Sequence, residues 1–182
     1  EAQMVYNFAL PPLLAFSVLK SNTEKLTNWA KELALPGGGV CFFNFTASHD
    51  GIGVRAVNDI LDEKEMSFLV RTSIGHGGYA SYRAIGDEDE SPYELNCSYI
   101  DLLTHPEEDD NIRVKRMILS QAVVLAMPGV PGIYFHSLVG SRNYHEAVRK
   151  TRINRSINRD KLNYDNLKEL LEEEGSLQKI LF

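Results

Sequence analysis

His49 and Asp50 follow an apolar run over residues 40–45 and the short link Thr46-Ala47-Ser48, and Gly51 and Gly53 stand just beyond them. An imidazole and a carboxylate placed where a buried strand gives way to a turn occupy the position from which side chains reach substrate in a βα barrel. The same pair also fits a local role, since Asp-Gly is common turn chemistry and Asp50 can cap the next helix or set an Asx turn. Spacing alone leaves both readings open. His136, directly after the apolar run 133–135, is a second strand-end histidine, balanced between lining a pocket and packing. His76, His105 and His145 fit surface or cap positions, and Arg55 fits a loop-bracing ion pair better than a ligand. Other patterns fail on chemistry. Gly75-His76-Gly77-Gly78 lacks the Lys-Ser/Thr of a phosphate loop and follows a helix instead of opening one. Glu107-Glu108-Asp109-Asp110 lacks the alternating ligands and glycine of a calcium loop and reads as a solvated loop. Cys41 and Cys97 have no metal-ligand spacing and read as free thiols of a reducing compartment. Neither a metal nor a cofactor is expected.

The elements that must position these side chains follow from periodicity. Residues 4–8 read as a short buried strand, and Pro11 and Pro12 suit the first turn of a helix running to Lys20, crowded by Leu13, Leu14, Phe16 and Leu19. Ser21-Asn22-Thr23-Glu24 offers a capping-box start to a helix reaching Leu35, with Leu26, Trp29, Ala30 and Leu33 at three- and four-residue steps. Pro36 and Gly37-Gly38-Gly39 stop it. Residues 40–45 predict a strand buried on both faces, the kind parallel sheets use. A helix is expected over 62–74, then a hairpin pairing 79–83 with 92–95 across an acidic turn at 86–91. Residues 112–127 give the clearest helix, which Pro128-Gly129-Val130-Pro131-Gly132 ends before a third buried strand at 133–135. A short helix at 144–150 and a polar, exposed one at 165–174 complete the chain. Alternating strands and helices point to a parallel α/β sheet. Strands apolar on both faces need neighbours, and a closed eight-stranded βα barrel needs about 250 residues, so the expectation is part of a larger barrel.

Composition removes several function classes. With 43% apolar and 24% charged residues in 182, the chain is neither collagen-like, low-complexity nor disordered. The balance of 19 Lys and Arg against 25 Asp and Glu gives −6, with no basic stripe interleaved with aromatics, so nucleic acid is not an expected partner. The longest apolar stretch, 123–135, is broken by Pro128, Gly129, Pro131 and Gly132 and is too short to cross a bilayer. The start Glu1-Ala2-Gln3 lacks the basic region of a signal peptide, and the expectation is a cytoplasmic protein cut from a longer chain.

Phe45-Thr46-Ala47-Ser48-His49-Asp50-Gly51-Ile52-Gly53-Val54-Arg55 resembles the fourth sequence region of the α-amylase superfamily, in the form used by the sucrose phosphorylase subfamily. Further segments agree in order: Val5-Tyr6-Asn7-Phe8-Ala9-Leu10-Pro11-Pro12, Pro92-Tyr93-Glu94-Leu95-Asn96, Pro128-Gly129-Val130-Pro131-Gly132-Ile133-Tyr134, and Arg149-Lys150-Thr151 leading to Arg155-Ser156-Ile157-Asn158-Arg159. The resemblance implies a partial (β/α)8 TIM barrel over residues 1–182, about the last three βα units with a hairpin-containing loop insertion and no second domain. It also implies retaining glucosyl transfer to phosphate: a carboxylate nucleophile forms a β-glucosyl-enzyme ester, a second carboxyl group acts as acid then base, and a third holds the sugar hydroxyls. By position Asp50 is that third carboxylate, a transition-state stabiliser on the C2 and C3 hydroxyls, and His49 donates to the same sugar edge.

Arg155 matches an acceptor-side arginine whose planar fork can grip phosphate. Tyr93 and Glu94 match the mobile acceptor-side loop, with Glu94 where some members have glutamine, and His136 is a further pocket candidate. Ala56 and Arg152-Ile153-Asn154 depart from the family pattern beside acceptor-side loops. In the family the nucleophile and the acid/base lie on earlier strands, so this chain is expected to hold neither and to be inactive alone. The implied partners are inorganic phosphate and a sugar donor, sucrose or its 6-phosphate first, glucosylglycerate or glucosylglycerol next. Its uncovered apolar edges are expected to make the fragment self-associate. The alternatives are an α-glucoside hydrolase on the same barrel and a non-catalytic, truncated barrel module.

Overall fold

The computed structural model describes residues 3–34, 37–85 and 89–182. Strand β1 (Met4–Tyr6) leads into helix α1 (Leu10–Lys20), whose first turn holds Pro11 and Pro12, where a missing N–H deprives no intrahelical bond. Every residue of α1 from Leu10 to Ser17 is buried, so the helix is apolar all round and runs through the interior. The expected capping box at 21–24 does not form. Ser21 instead ends α1 in the left-handed region (φ 51°), and Asn22 Oδ1 accepts the Glu24 N–H at 2.8 Å to open α2 (Glu24–Glu32). Helix α2 stops short of the expected Leu35, which with Pro36 lies outside the described residues.

Strand β2 (Cys41–Asn44) pairs in parallel with β1. Then come β3 (Ile52–Gly53), a 3-10 turn at Arg55–Val57, and α3 (Glu63–Gly75), opened by a reciprocal capping box between Asp62 and Glu65. Strands β4 (Tyr79–Ile85) and β5 (Asp89–Asn96) form the expected hairpin, and with β3 they make a second, antiparallel sheet in the order β3-β5-β4. Pairing runs to Ile85 opposite Asp89, so Glu90 and Ser91 are strand and not turn; residues 86–88 lie outside the described residues. Helices α4 (Tyr99–Leu102) and α5 (Asp110–Ala126) follow, then β6 (Val130–Pro131), parallel to β2. The chain continues through α6 (Phe135–Leu138), α7 (His145–Thr151), a 3-10 segment Asn154–Asn158, α8 (Tyr164–Glu172) and α9 (Leu177–Leu181).

The third parallel strand thus precedes its expected place at 133–135. Gly129 (φ 130°) and Gly132 explain the shift: a Cβ on them would stand 2.4 Å from the Phe42 carbonyl oxygen and 2.3 Å from the Phe43 ring. Only glycine lets the backbone lie so close to β2. The Gly132 N–H then donates to Asn44 O at 2.7 Å, completing the pairing before Phe135 enters a helical turn.

The expectation of strands buried on both faces is also corrected. Strands β1 and β6 are exposed along their length and β2 is half-buried up to Asn44. Tyr6 and Phe8, 59% and 54% exposed, stack on each other and lie edge-on to the stacked pair Phe43 and Phe45, at ring separations of 5.4–5.9 Å. The main core lies elsewhere, where Leu13 and Phe16 of α1 meet Ile52, Val54, Leu69, Leu95, Tyr99 and Met117. Tyr99 hydroxyl donates to Pro11 O at 2.9 Å, satisfying its one polar atom inside that core.

A buried ionic centre ties the later helices together. Arg113, 1% exposed, donates to Asp110, Asp101 and the carbonyls of His105, Pro106 and Glu108. Asp101 also receives Arg142 and the Asn143 N–H, so a charge that would be costly alone is fully engaged. The fold is mixed α/β, and no helix of the described residues is long and apolar enough to cross a membrane.

Candidate functional site

Side-chain amides align the ends of the parallel strands. Asn7 Nδ2 donates to Asn44 Oδ1 at 2.9 Å, and Asn44 Nδ2 donates to Pro128 O at 3.0 Å, linking all three strands inside the sheet. Beyond Asn44, Thr46 and Ala47 stay buried, and the chain turns outward where the Asp50 N–H donates to Ser48 Oγ at 3.2 Å. Asp50 caps no helix, because the following 3-10 turn has no side-chain cap. Its carboxylate is left to point across the strand ends. Gly51 makes the turn possible: a Cβ there would sit 2.6 Å from Leu95 O and 2.4 Å from Glu94 Cγ.

That close approach, with Gly53 opposite Glu94 and the Val54 N–H donating to Tyr93 O at 3.0 Å, carries the hairpin's Tyr93 and Glu94 to Asp50. Glu94 is 5% exposed and accepts from Asn96 Nδ2 at 2.5 Å, Arg155 Nε at 2.9 Å and Arg155 NH2 at 2.6 Å. The remaining arm, Arg155 NH1, donates to Asp50 Oδ1 at 2.9 Å. Glu94's hydrogen bonds raise the Arg155 pKa above the ordinary arginine value, against the opposing effect of burial. The planar fork expected to hold phosphate is here occupied by Glu94, so the carboxylate that stands where some members have glutamine is paired.

The same 3-10 segment and its neighbour hold the turn from the other side. Arg159 donates from Nε to His49 O at 2.6 Å and from NH2 to Asp50 Oδ1 at 3.0 Å. Asn158 Nδ2 donates to Ser48 O at 2.7 Å and Asp50 O at 2.9 Å. Sequence reasoning gave Asn158 and Arg159 no role; the one local signal was their place in the segment that follows Arg155. The side chain of His49 is 72% exposed, with Nε2 3.7 Å from Asp50 Oδ2.

Asp50 borders two cavities. One, of about 340 Å³, is walled by Tyr6, Phe8, Phe43, Phe45 and Tyr134 with His49 and Asp50 at its rim. The other, of about 230 Å³, lies between Phe8, Asp50, Tyr93, Glu94 and Arg155. An aromatic wall facing a carboxylate and an imidazole suits a sugar ring, whose apolar face stacks while its hydroxyls are bonded. Larger grooves of about 680 Å³ beside α3 and 450 Å³ beside α8 show no comparable convergence of Asp, His and Arg.

His49, Asp50, Tyr93, Glu94 and Arg155 are therefore brought together, and His136 is not. It sits on α6 with Nδ1 2.8 Å from Ser141 Oγ and borders a cavity of only about 10 Å³. Burial lowers its pKa, opposed in part by Asp160. Arg55 is exposed and is in no ion pair among the described residues, so the expected loop-bracing pair is not formed there. His76 does cap α3, its Nδ1 reaching the Asp101 and Leu102 carbonyls at 3.1 and 2.9 Å. Cys41 and Cys97 are free, and burial pushes the Cys97 thiol up to about 12.

No family model matches the chain. It is 42% identical over 182 residues to a glucosylglycerate phosphorylase of Spirochaeta thermophila, a match covering all of this chain and 31% of that protein. The corresponding protein of Escherichia coli is 41% identical over the same length, covering 33% of it. A sucrose phosphorylase of Agrobacterium vitis is 30% identical over 87% of this chain and 32% of its own. In three dimensions the crystal structure of sucrose 6F-phosphate phosphorylase from Thermoanaerobacter thermosaccharolyticum superposes with a TM-score of 0.82 over 98% of this chain and 35% of that one, at 24% identity. The chain spans about a third of the length of the relatives it matches.

Proposed function

We propose, from the premise that this chain belongs to the sucrose phosphorylase-like subfamily of the α-amylase superfamily and spans about a third of its members, that it is the later part of the (β/α)8 barrel of a retaining α-glucosyl phosphorylase. One observation carries the reading: Asp50, on the turn that follows a parallel strand, faces an aromatic-walled cavity on one side and the Tyr93-Glu94-Arg155 group on the other. In this reading the glucosyl ring lies against the aromatic wall, and Asp50 with His49 holds its hydroxyls while the ring flattens toward an oxocarbenium ion. Phosphate approaches from the hairpin side, past Tyr93. The nucleophile and the acid/base belong to strands outside these residues, so the 182-residue chain has no turnover by itself.

Identity is higher to the glucosylglycerate phosphorylases, at 42% and 41%, than to the sucrose phosphorylase at 30%, which favours glucosylglycerate as donor over sucrose and its 6-phosphate. The test incubates the complete enzyme with glucosylglycerate or sucrose, with and without phosphate. Phosphate-dependent glucose 1-phosphate supports the reading. Free glucose at the same rate in both arms makes the protein a hydrolase, and no turnover of either donor removes the reading.

A further inference from the structure

We propose that Asn158 is a positioning residue for Asp50, holding the strand-end turn so that the carboxylate stays aimed at the sugar site; this rests on the role given to Asp50 above. The turn has few internal restraints. Within it the one side-chain bond is the Asp50 N–H to Ser48 Oγ at 3.2 Å, and Gly51 follows directly. Two of its carbonyls, those of Ser48 and Asp50, point to the same side and are both met by Asn158 Nδ2, at 2.7 and 2.9 Å.

Only a group with two N–H donors on one atom satisfies both carbonyls from that place, which fixes the orientation of the amide. A carboxylate in its place would set lone pairs against lone pairs.

Asn158 is itself held rigidly. It is 6% exposed, its neighbour Ile157 is fully buried, and its own carbonyl accepts the Tyr134 hydroxyl at 2.9 Å. The Tyr144 N–H donates to Ile157 O at 2.8 Å, tying the segment to the start of α7. The amide therefore transmits a fixed frame to the turn. Arg155 and Arg159 restrain the same Asp50 through one carboxylate oxygen, Oδ1, at 2.9 and 3.0 Å. Those bonds orient the side chain only if the backbone beneath it is fixed, and the backbone contacts come from Asn158 and from Arg159 Nε on His49 O.

The test is a double-mutant cycle in the complete enzyme, with Asn158→Ala and the isosteric Asn158→Asp made alone and in an Asp50→Asn background. Acting through Asp50, each should lower kcat at least tenfold with the donor KM little changed, and should cost almost nothing further once Asp50 is Asn. Equal losses in both backgrounds overturn the proposal, as does failure of both variants to fold, which would make Asn158 a structural residue. Hydrogen exchange gives a readout independent of turnover: amides of residues 48–51 should exchange faster in Asn158→Ala while those of α3 and α5 do not. Unchanged exchange at 48–51 also overturns the proposal. Absence of phosphorolysis in the unmutated enzyme, with the exchange result as expected, would refute the function and leave the positioning intact.

Discussion

Asp50 Oδ1 is shared by two guanidinium groups, whereas Oδ2 has only the exposed His49 ring at 3.7 Å among the described residues. That asymmetry suits a carboxylate that is oriented through one oxygen and offers the other to a sugar. Asp50→Asn keeps the shape and removes the charge, so the complete enzyme should lose about 3 to 4 kcal/mol of transition-state stabilisation, roughly 10² to 10³ in kcat. Its melting curve should hardly move, since Asp50 is half-exposed and buries no unmatched charge; near-normal kcat would remove it from the mechanism. Glu94 makes a second case. Two carboxylates, Asp50 and Glu94, face two guanidiniums, Arg155 and Arg159, so the formal charge of the group is zero. Glu94→Gln leaves one positive charge in excess beside the proposed path of phosphate, and a unit charge about 4 Å away is worth about 1 kcal/mol even in water. The KM for phosphate should fall roughly fivefold by that figure. A KM that rises would show that the carboxylate serves to hold Arg155 in place.

Among the elements, α3 has the most completely specified start. Asp62 accepts the N–H groups of Lys64 and Glu65 at 2.8 and 2.9 Å, while Glu65 returns a bond to the Asp62 N–H. The Glu65 backbone bond, against the opposing effect of desolvation and with help from the Lys64 bond, holds the Asp62 carboxyl below its ordinary value. A carboxyl lowered in the folded state binds fewer protons there than in the unfolded chain, so its contribution is complete above the unfolded value of about 4 and fades as the pH falls below it. Asp62→Ala should therefore melt lower than the parent at neutral pH, and the gap should close in acid as the parent loses the same bonds. A gap that does not depend on pH would place the effect in packing and not in the cap. The element matters to the site because α3 leads into the hairpin that carries Tyr93 and Glu94.

At the scale of the whole molecule, the parallel sheet contrasts with the core. The helices and the antiparallel sheet bury Leu13, Leu69, Leu95 and Met117 completely, while β1 is exposed from Met4 to Tyr6 and one face of the sheet shows Tyr6 and Phe8. Exposed parallel edges and aromatic faces attract further strands or another copy. The 182-residue chain by itself should thus sediment as oligomers whose size grows with concentration, and Tyr6→Ser with Phe8→Ser should shift it toward monomer. A monodisperse monomer of the unmutated chain would contradict this.

The sequence by itself determined the local elements wherever their signals are local. The Asp62-Glu65 pair and the long helix before Pro128 depend on neighbours within a few residues, and the hairpin across residues 79–96 joins strands adjacent in the chain. It also determined that His49 and Asp50 follow a strand of a parallel sheet, because apolar runs and glycine punctuation are written in order. The shift of β6 to Val130–Pro131 was decided by contacts of Gly129 and Gly132 with a strand far away in the chain. The sheet's open face was decided by which elements are present to cover it. The Glu94 to Arg155 pair and the Asn158 bonds join residues 61, 108 and 110 positions apart. No periodicity encodes such distances, since each bond depends on the strand ends, the hairpin and the 3-10 segment meeting in space, and only the tertiary structure brings them there.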